Sequence, residues 1–167
     1  MERVLVLIRH AKSDWAIPDQ PDFDRPLNAR GKKDAPEMGK RLKKKNIIPD
    51  LIISSPAMRA ATTAKLIAAE VGYPEANIRW VDKMYHCTAD VFEEVLTSGD
   101  IPDHVKTVFM FAHNPGISQF VFEAAPSLDV YDMPTCAAAG LTFKAEHWSD
   151  FATAKRKGLF FDYPKNQ

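Results

Sequence analysis

Short apolar runs alternate with longer amphipathic segments along most of this chain. The clearest apolar runs are 4–8, 51–53 and 107–112, and a weaker one covers 78–81. Their β-branched content is typical of strands that are buried on both faces. Because these strands alternate with helical patterns, we predict an α/β fold of three layers, in which helices cover both faces of a mostly parallel sheet. A further strand is expected at 140–145.

Capping signals place the first helix. Asn28 is a suitable N-cap residue for a basic helix that extends to about Lys45. Pro36 lies inside this segment, and it either kinks the helix or delays its regular part to about Asp34. The polar segment before the helix, 12–27, is rich in proline and aspartate and is predicted to be a loop.

Three more helices follow from the same kind of signal. Ser54-Ser55-Pro56 predicts a helix start, with serine as the N-cap residue and proline in the first helical position. Gly72 is a natural terminator for that helix. A short helix is expected at about 90–97. The tripeptide Asn114-Pro115-Gly116 opens another, which extends to about Ala125.

Length and charge limit the classes of protein to consider. A chain of 167 residues fits one domain, which we expect to cover 1–167. Acidic and basic residues number 22 each, so the formal net charge is zero, and general nucleic-acid binding is not expected. No apolar run approaches the length of a membrane span, and the first one lacks the pattern of a secretory signal. We therefore expect neither nucleic acid nor a membrane as a partner.

The two cysteines point to a reducing compartment. Cys87 and Cys136 are far apart in the sequence and do not have the spacing of metal ligands. Reduced thiols in a cytoplasmic protein are the simplest interpretation, although a single disulfide between them stays open at this point.

Chemically active side chains follow three of the predicted strands. Arg9 and His10 come directly after the first, Arg59 lies in the first turn of the helix after the second, and His113 follows the strand at 107–112. The carboxyl ends of parallel strands lie along one edge of a sheet, so these residues can converge there. The predicted helix starts beside them add free N–H groups that favour a bound anion.

This set of residues fits the binding of a phosphoryl group and attack on it. Arginine offers a planar fork that matches phosphate oxygens, and neutral imidazole is a nucleophile. For the Arg9-His10 dipeptide alone, the alternative is a surface ion pair beside a histidine that ends the strand. A metal site built from His10 and His113 is a poor alternative, because two flanking arginines repel a cation. We expect no metal and no cofactor.

Four motifs, in this order, resemble those of the histidine phosphatase (phosphoglycerate-mutase-like) superfamily. They are Arg9-His10, Asp24-Arg25-Pro26-Leu27-Asn28-x-Arg30-Gly31, Ser54-Ser55-Pro56-x-x-Arg59-Ala60-x-x-Thr63-Ala64 and His113-Asn114-Pro115. Within that superfamily, Arg-His-Ala-Lys-Ser-Asp-Trp at 9–15 and the Asp-Arg-Pro-Leu segment most resemble the SixA-type phosphohistidine phosphatases. The resemblance covers roughly 4–120 and implies a phosphoglycerate-mutase-like fold.

The resemblance also implies roles for individual residues. His10 would be the nucleophile that becomes phosphorylated, and Arg9, Arg59 and His113 would complete the phosphate pocket. Neighbouring arginine charges lower the pKa of a histidine and so keep it neutral, as a nucleophile must be.

Other polar residues of the motifs are candidates for binding phosphate or substrate. Ser13 and Asn114 could donate to phosphate, or they could be turn and cap residues. Arg25 could contact the substrate, or it could pair with Asp24 to order the loop. The basic face of the helix at 28–45 is either a solvated surface or a docking surface for an acidic partner.

A general acid is not evident in the sequence. Many superfamily members place a glutamate after the third strand, where this chain has Asp82, which could equally be a surface carboxylate. Asp14 and His86 are the other candidates. An alcohol leaves as a high-energy alkoxide unless it is protonated, whereas the conjugate acid of imidazole titrates near neutrality. A site without a strong acid is therefore better suited to P–N bonds or activated esters.

These observations predict a metal-independent phosphohydrolase that forms a phosphohistidine intermediate. Its expected partner is a phosphorylated protein carrying phosphohistidine, or a small phosphoester. The alternatives are a small-molecule phosphomonoesterase or mutase of the same superfamily and, from another class, a phosphate-binding adaptor without turnover. A mutase must protect its intermediate from water, which a short chain makes difficult.

Overall fold

A six-stranded sheet forms the centre of the protein, whose computed structural model describes residues 1–166. In chain order its strands are β1 (Glu2–Arg9), β2 (Leu51–Ser54), β3 (Arg79–Trp80), β4 (Thr107–Ala112), β5 (Ala138–Lys144) and β6 (Arg156–Asp162). The spatial order is β3-β2-β4-β1-β5-β6. The first four of these are parallel, and β5 and β6 extend the sheet as antiparallel strands. The prediction of a mostly parallel α/β sheet is confirmed.

Helices cover both faces of the sheet, as the sequence predicts. They are α1 (Ala29–Lys44), α2 (Met58–Val71), α3 (Ala89–Leu96) and α4 (Gly116–Ala124). Alternate residues of β1 point to opposite sides: Val6 and Ile8 pack in the core beneath α1 and α2, whereas Leu5 and Leu7 pack in the core beneath α3 and α4. This burial on both faces explains why β1 is a continuous apolar run. Within residues 1–166, no helix is both long enough and apolar enough to cross a bilayer.

The first helix begins where its capping signal predicts. The Asn28 side chain accepts a hydrogen bond from the Gly31 N–H at 2.9 Å. Pro36 lies inside α1, and the helix continues through it without a delayed start. The N-terminus of α1 is fixed against the loop that follows β1, because the Asn28 N–H donates to the Lys12 carbonyl at 3.0 Å.

The predicted start of α2, with Pro56 as its first residue, is wrong by two residues. Ser54 belongs to β2, and the Ser55 N–H still donates to the Phe111 carbonyl of β4 at 3.0 Å. The helix begins only at Met58, with Ala57 as an N-cap residue that makes no side-chain cap. Ser55 is therefore not an N-cap, because the sheet ladder extends one residue past β2.

The antiparallel strand β6 is not predicted by the sequence. It lies at an edge of the sheet, where four of its seven residues are partly buried and two are exposed, and its pattern of Arg, Lys, Gly, Leu and Phe carries no clear alternation. The third strand is also shorter than expected, since only Arg79 and Trp80 pair with β2.

Substitution Gly31→Ala should destabilise the fold. A Cβ at this position would lie 2.2 Å from the Lys12 carbonyl oxygen, and both groups belong to backbones that cannot move independently. We expect a loss of about 1–3 kcal/mol in the free energy of unfolding, measured by urea denaturation, despite the better helix propensity of alanine. Lys33→Ala, on the exposed side of the same helix, should change it by less than about 0.5 kcal/mol. Equal stability of the two variants would contradict the close approach.

Candidate active site

Three neighbouring strands end at one cavity. β1 pairs with β4 in parallel up to Arg9 and Ala112, and β4 pairs with β2 up to Phe111 and Ser54, so the residues that follow each strand meet at one edge. The cavity has a volume of about 440 Å³. It is lined by Arg9, His10, Lys12, Ser13, Trp15, Asp22, Arg25, Arg59, His86, His113, Asn114 and Thr135. The structure therefore brings together at this cavity the four residues that the sequence predicts to converge: Arg9, His10, Arg59 and His113.

The His10 ring is held with one nitrogen committed to the backbone. Its Nδ1 lies 2.8 Å from the carbonyl oxygen of Ala11. A carbonyl only accepts, so Nδ1 must carry the proton, and Nε2 therefore bears the free lone pair. His10 is almost completely buried. A neutral, oriented imidazole with an available Nε2 is a competent nucleophile.

Thr63 of α2 fixes the backbone beside His10. Its Oγ1 accepts from the Ala11 N–H at 2.9 Å and donates to the Arg59 carbonyl at 2.7 Å. One buried hydroxyl thus links the segment after β1 to the turn of α2 that carries Arg59. This accounts physically for the threonine of the Ser54–Ala64 motif.

The second histidine lies directly beside the first. The ring centroids of His10 and His113 are 5.3 Å apart. His113 Nε2 lies 2.8 Å from the Ser55 hydroxyl, which replaces the predicted capping role of that serine. The serine therefore orients an active-site ring instead of starting a helix.

A carboxylate that the sequence did not single out lies in the cavity. Asp22 accepts hydrogen bonds from Arg59 Nη2 at 3.0 Å, from Arg25 Nη2 at 3.0 Å and from the Tyr85 hydroxyl at 2.6 Å, and it contacts His86 Nε2 at 2.8 Å. The Asp22 carbonyl also accepts from Arg59 Nη1 at 2.8 Å. Asp22 therefore orients two arginines at once. No local sequence signal marks it, because its partners come from three separate segments.

Arg25 is held on two sides by the loop before α1. Its Nη1 donates to the Ser13 hydroxyl, and its guanidinium stacks on the Trp15 ring at 3.6 Å from the ring centroid. The partner of Arg25 is Asp22, not the expected Asp24. Trp15 is 71% exposed, so the mouth of the cavity carries an aromatic face that is open to solvent.

Asn114 lines the cavity, but its side chain is occupied by other contacts. Its Nδ2 donates to Asp132 Oδ1 at 2.8 Å and to the Met133 carbonyl at 3.2 Å, and its Oδ1 accepts from the Ser118 hydroxyl. Arg9 Nη1 donates to the same Met133 carbonyl at 2.9 Å. The side chain of Asn114 thus anchors the loop before β5 and holds no free donor for a phosphate.

The structure does not bring Asp82 to the cavity. Asp82 is exposed, at the start of a short 3-10 turn beyond β3, and it is not among the lining residues. Asp14 also lies outside the lining, where its Oδ1 accepts from the Ala16 N–H at 2.8 Å. Of the three candidate acids only His86 reaches the cavity, and the carboxylate there is Asp22.

Polar atoms without a partner are concentrated at this cavity. Among residues 1–166, the buried side-chain atoms that lack a hydrogen bond are Nε of Arg9, Arg25 and Arg59, Nδ1 of His113, and one oxygen of Asp34. The first four belong to residues of the cavity. Each unsatisfied buried group costs about 1–3 kcal/mol, so the arrangement is that of a site that receives an anion. Among the described residues 1–166, no three or more His, Cys, Asp or Glu side chains are arranged to hold a metal ion.

Sequence comparison identifies the family. Residues 5–94, more than half of the chain, match the profile of the histidine phosphatase superfamily (branch 1). This chain belongs to that superfamily. A chloroplastic protein of Arabidopsis thaliana, itself uncharacterised, is 32% identical over 90% of this chain and 71% of its own length. The 2,3-bisphosphoglycerate-dependent phosphoglycerate mutase of Beijerinckia indica is 37% identical, but over only 45% of this chain and 37% of that enzyme.

Solved structures share the whole fold. The SixA protein of Agrobacterium tumefaciens superposes with a TM-score of 0.79 at 24% identity, covering 97% of this chain and 98% of that one. The protein histidine phosphatase SixA in complex with tungstate gives a TM-score of 0.80 at 20% identity, covering 98% of each chain. The SixA-like histidine phosphatase fold predicted from the motifs is confirmed.

Both active-site histidines of this superfamily member are held neutral. Burial, followed by the charges of Arg59, Arg9 and Arg25, lowers the pKa of His10 to about 3. Burial, followed by the neighbouring His10 and Arg59, lowers the pKa of His113 to about 2. Neither ring is therefore protonated at neutral pH, and His10 keeps its lone pair without a separate base.

Asp22 stays ionised because its hydrogen-bond donors and a neighbouring arginine stabilise the charged form. Partial burial alone would raise the pKa of Asp22, but hydrogen bonds from Tyr85, Arg25 and His86 and the charge of Arg59 outweigh it and hold that pKa well below its ordinary value. A carboxylate in this state accepts hydrogen bonds and cannot donate a proton. Asp22 therefore does not supply the missing general acid.

The neutral histidines predict a loss of stability in acid. An unfolded histidine has a pKa of about 6.5, so below that pH the unfolded chain binds protons that folded His10 and His113 refuse until about pH 3 and pH 2. Their contribution to stability is complete above pH 6.5 and falls by up to about 1.4 kcal/mol per pH unit for each ring as the pH drops. The free energy of unfolding, measured between pH 7 and 4, should decline less steeply in His10→Gln than in the wild type. Parallel curves would contradict the depressed pKa of His10.

Proposed function

We propose that this chain is a phosphohydrolase that forms a phosphohistidine intermediate on His10, and that phosphohistidine on a protein is its substrate. The observation that carries the proposal is the neutral His10 ring, whose available Nε2 lies in a cavity lined by Arg9, Arg25 and Arg59. Membership of the histidine phosphatase superfamily supports phosphatase chemistry. A SixA protein of the same fold has been solved in complex with tungstate, an oxyanion, which supports phosphate binding by this fold.

In the first step His10 takes the phosphoryl group. The Nε2 lone pair forms a bond to phosphorus, and the P–N bond of the substrate breaks. The arginines stabilise the charge on the equatorial oxygens of the transferred group. The leaving imidazole departs neutral when its other ring nitrogen already carries a proton, so the enzyme needs no strong acid.

In the second step water releases phosphate. Phosphorylated His10 keeps the Nδ1 proton that it donates to the Ala11 carbonyl, so its ring resembles an imidazolium and is a good leaving group. Water adds to phosphorus, the P–N bond breaks, and the products are dihydrogen phosphate and neutral His10. All atoms and charges balance without a metal ion, which is why we propose metal-independent turnover.

The ionised state of Asp22 favours P–N bonds over alkyl esters. An alkoxide leaving group needs a proton in the transition state, and the carboxylate lining this cavity is held deprotonated. The cavity mouth beside exposed Trp15 is open, which suits a side chain presented by another protein. A small metabolite usually binds in a more enclosing pocket.

A small phosphoester is the second candidate substrate. It is favoured by the sequence similarity to phosphoglycerate mutases, which for the Beijerinckia indica enzyme covers 45% of this chain. That similarity spans well under half of the mutases, so it supports the shared chemistry of the first step more than the shared substrate.

The described thiols suit a reducing compartment. Cys87 and Cys136 are both free, and Cys136 is buried. We propose that the protein works in the cytoplasm or in a comparable reducing compartment, because a free-thiol pair persists there. The relative from Arabidopsis is described as chloroplastic.

Replacing the nucleophile should abolish turnover and leave the fold intact. We expect His10→Ala to lower kcat by at least about a thousandfold, because the variant lacks the imidazole nitrogen that would accept the phosphoryl group. Wild-type enzyme denatured in alkali during turnover should carry radiolabelled phosphate on a peptide containing His10, because a phosphohistidine P–N bond survives alkali and hydrolyses in acid. His104→Ala, an exposed histidine outside the cavity, is the matched control and should retain activity. An active His10→Ala variant would falsify the proposed intermediate.

The leaving group should decide the rate. In the presence of chelator, we expect kcat/KM to be highest for a phosphohistidine peptide, intermediate for an aryl phosphate and lowest for sugar phosphates. This order reflects how much each leaving group depends on protonation. A higher kcat/KM for a sugar phosphate would instead favour the small-molecule function, and loss of all activity in chelator would contradict the metal-independent mechanism.

A further inference from the structure

A row of basic side chains extends from the active-site cavity along α1. A second cavity of about 360 Å³ shares Lys12 and Thr135 with the active site and is also lined by Arg30 and Lys165. A third, of about 500 Å³, continues from Arg30 and Lys165 to Lys33 and Lys40. We name this continuous surface, formed by Lys12, Arg30, Lys33, Lys40 and Lys165, the basic groove.

Backbone contacts fix the direction of the basic groove. The Lys12 carbonyl accepts from the Asn28 N–H and lies against Gly31, so the first turn of α1 sits beside the loop that carries His10. From there α1 leads away from the active site. Ten residues separate Arg30 from Lys40, which corresponds to about 15 Å of helix.

The positive charge of the basic groove is only partly neutralised by the two carboxylates in its lining. The carboxylates in its lining are already engaged: Asp34 forms an ion pair with Arg30 at 3.4 Å, and Glu37 forms one with Arg41 at 3.7 Å. Within residues 1–166, Lys33 and Lys40 are exposed and form no ion pair. Lys33 and Lys40 therefore leave exposed positive charge in the basic groove, although the formal net charge of the whole chain is zero.

We propose that the basic groove binds an acidic segment of the phosphorylated protein, in an extended conformation, on one side of the phosphorylated residue. About 15 Å accommodates four or five residues of extended chain, at roughly 3.3 Å each. A small phosphoester bound at His10 would not reach Lys33 or Lys40. This inference rests on the proposed function, since it names the class of protein that the active site would dephosphorylate.

Binding of an acidic peptide without phosphohistidine tests the groove independently of turnover. The probe is a fluorescently labelled peptide with five consecutive glutamates, compared with a glutamine version by anisotropy at low ionic strength. We expect the glutamate peptide to bind more tightly, and its Kd to rise about tenfold in the double variant Lys33→Glu, Lys40→Glu.

The matched control is Lys32→Glu, Lys43→Glu. It makes the same change in net charge on exposed positions of the same helix, but both lysines lie outside the basic groove. We expect its Kd to stay within about threefold of the wild type. Equal loss in both variants, or no preference for glutamate in the wild type, would overturn the proposal. So would a labelled single-stranded oligonucleotide that binds the groove more tightly than the peptide.

Turnover separates this inference from the proposed function. Two phosphohistidine peptides, one with a glutamate flank and one with a glutamine flank, are compared by kcat and KM. We expect a KM about tenfold lower for the glutamate peptide, an advantage that Lys33→Glu, Lys40→Glu abolishes at unchanged kcat. Turnover of both peptides without a preference for glutamate would contradict the proposed role of the basic groove but leave the proposed phosphatase activity in place. If peptide binding depends on the basic groove but neither peptide is turned over, phosphohistidine is not the substrate, and the proposed binding role of the groove still stands.

Discussion

Parallel pairing of β1 with β4, and of β4 with β2, is the constraint on which the site depends. The register ends with Arg9 opposite Ala112 and Ser54 opposite Phe111, so three chain segments leave the sheet at one level. Both faces of these strands are buried, and a shift in register would expose apolar side chains on one face. The same burial that stabilises the sheet therefore also sets the spacing between His10 and His113.

The concentration of arginines at this edge is balanced by a single carboxylate. Arg25 and Arg59 both bind Asp22, which lets two cations lie close together beside a buried imidazole. Burial lowers the pKa of His10, and the charges of Arg59 and Arg25 lower it further. One arrangement thus provides an anion site and an unprotonated nucleophile, and it leaves the cavity carboxylate too strongly held to act as an acid.

This chain combines an open cavity at the strand ends with a basic surface that extends along α1. The fold matches SixA structures over nearly the whole length, whereas the similarity to phosphoglycerate mutases covers less than half of the chain. An exposed Trp15 at the cavity mouth and the basic groove along α1 both suit a substrate that is larger than a metabolite. The proposed cleavage of P–N bonds and the proposed protein partner both follow from the same site.

The sequence alone determined the alternation of strands and helices and the residues at the strand ends. Those features are local: an apolar run indicates a buried strand, and Asn28 caps a helix through its own neighbours. Because the carboxyl ends of parallel strands lie along one edge of a sheet, the sequence also predicted that four residues converge there: Arg9, His10, Arg59 and His113. The edge strand β6 escaped prediction because its residues are only partly buried and carry a weak pattern.

The surroundings of His10 depend on contacts between segments that are distant in the sequence. Asp22 gains its role from Arg25, Arg59 and Tyr85, which no spacing in the sequence connects to it. Ser55 resembled a helix cap, but the sheet ladder reaches it and gives its hydroxyl to His113. These partners come from segments that are distant in the sequence, so they become neighbours only when the chain folds. The sequence therefore indicates the candidate reacting groups, whereas the folded structure determines the counter-ions and hydrogen bonds that set their protonation and orientation.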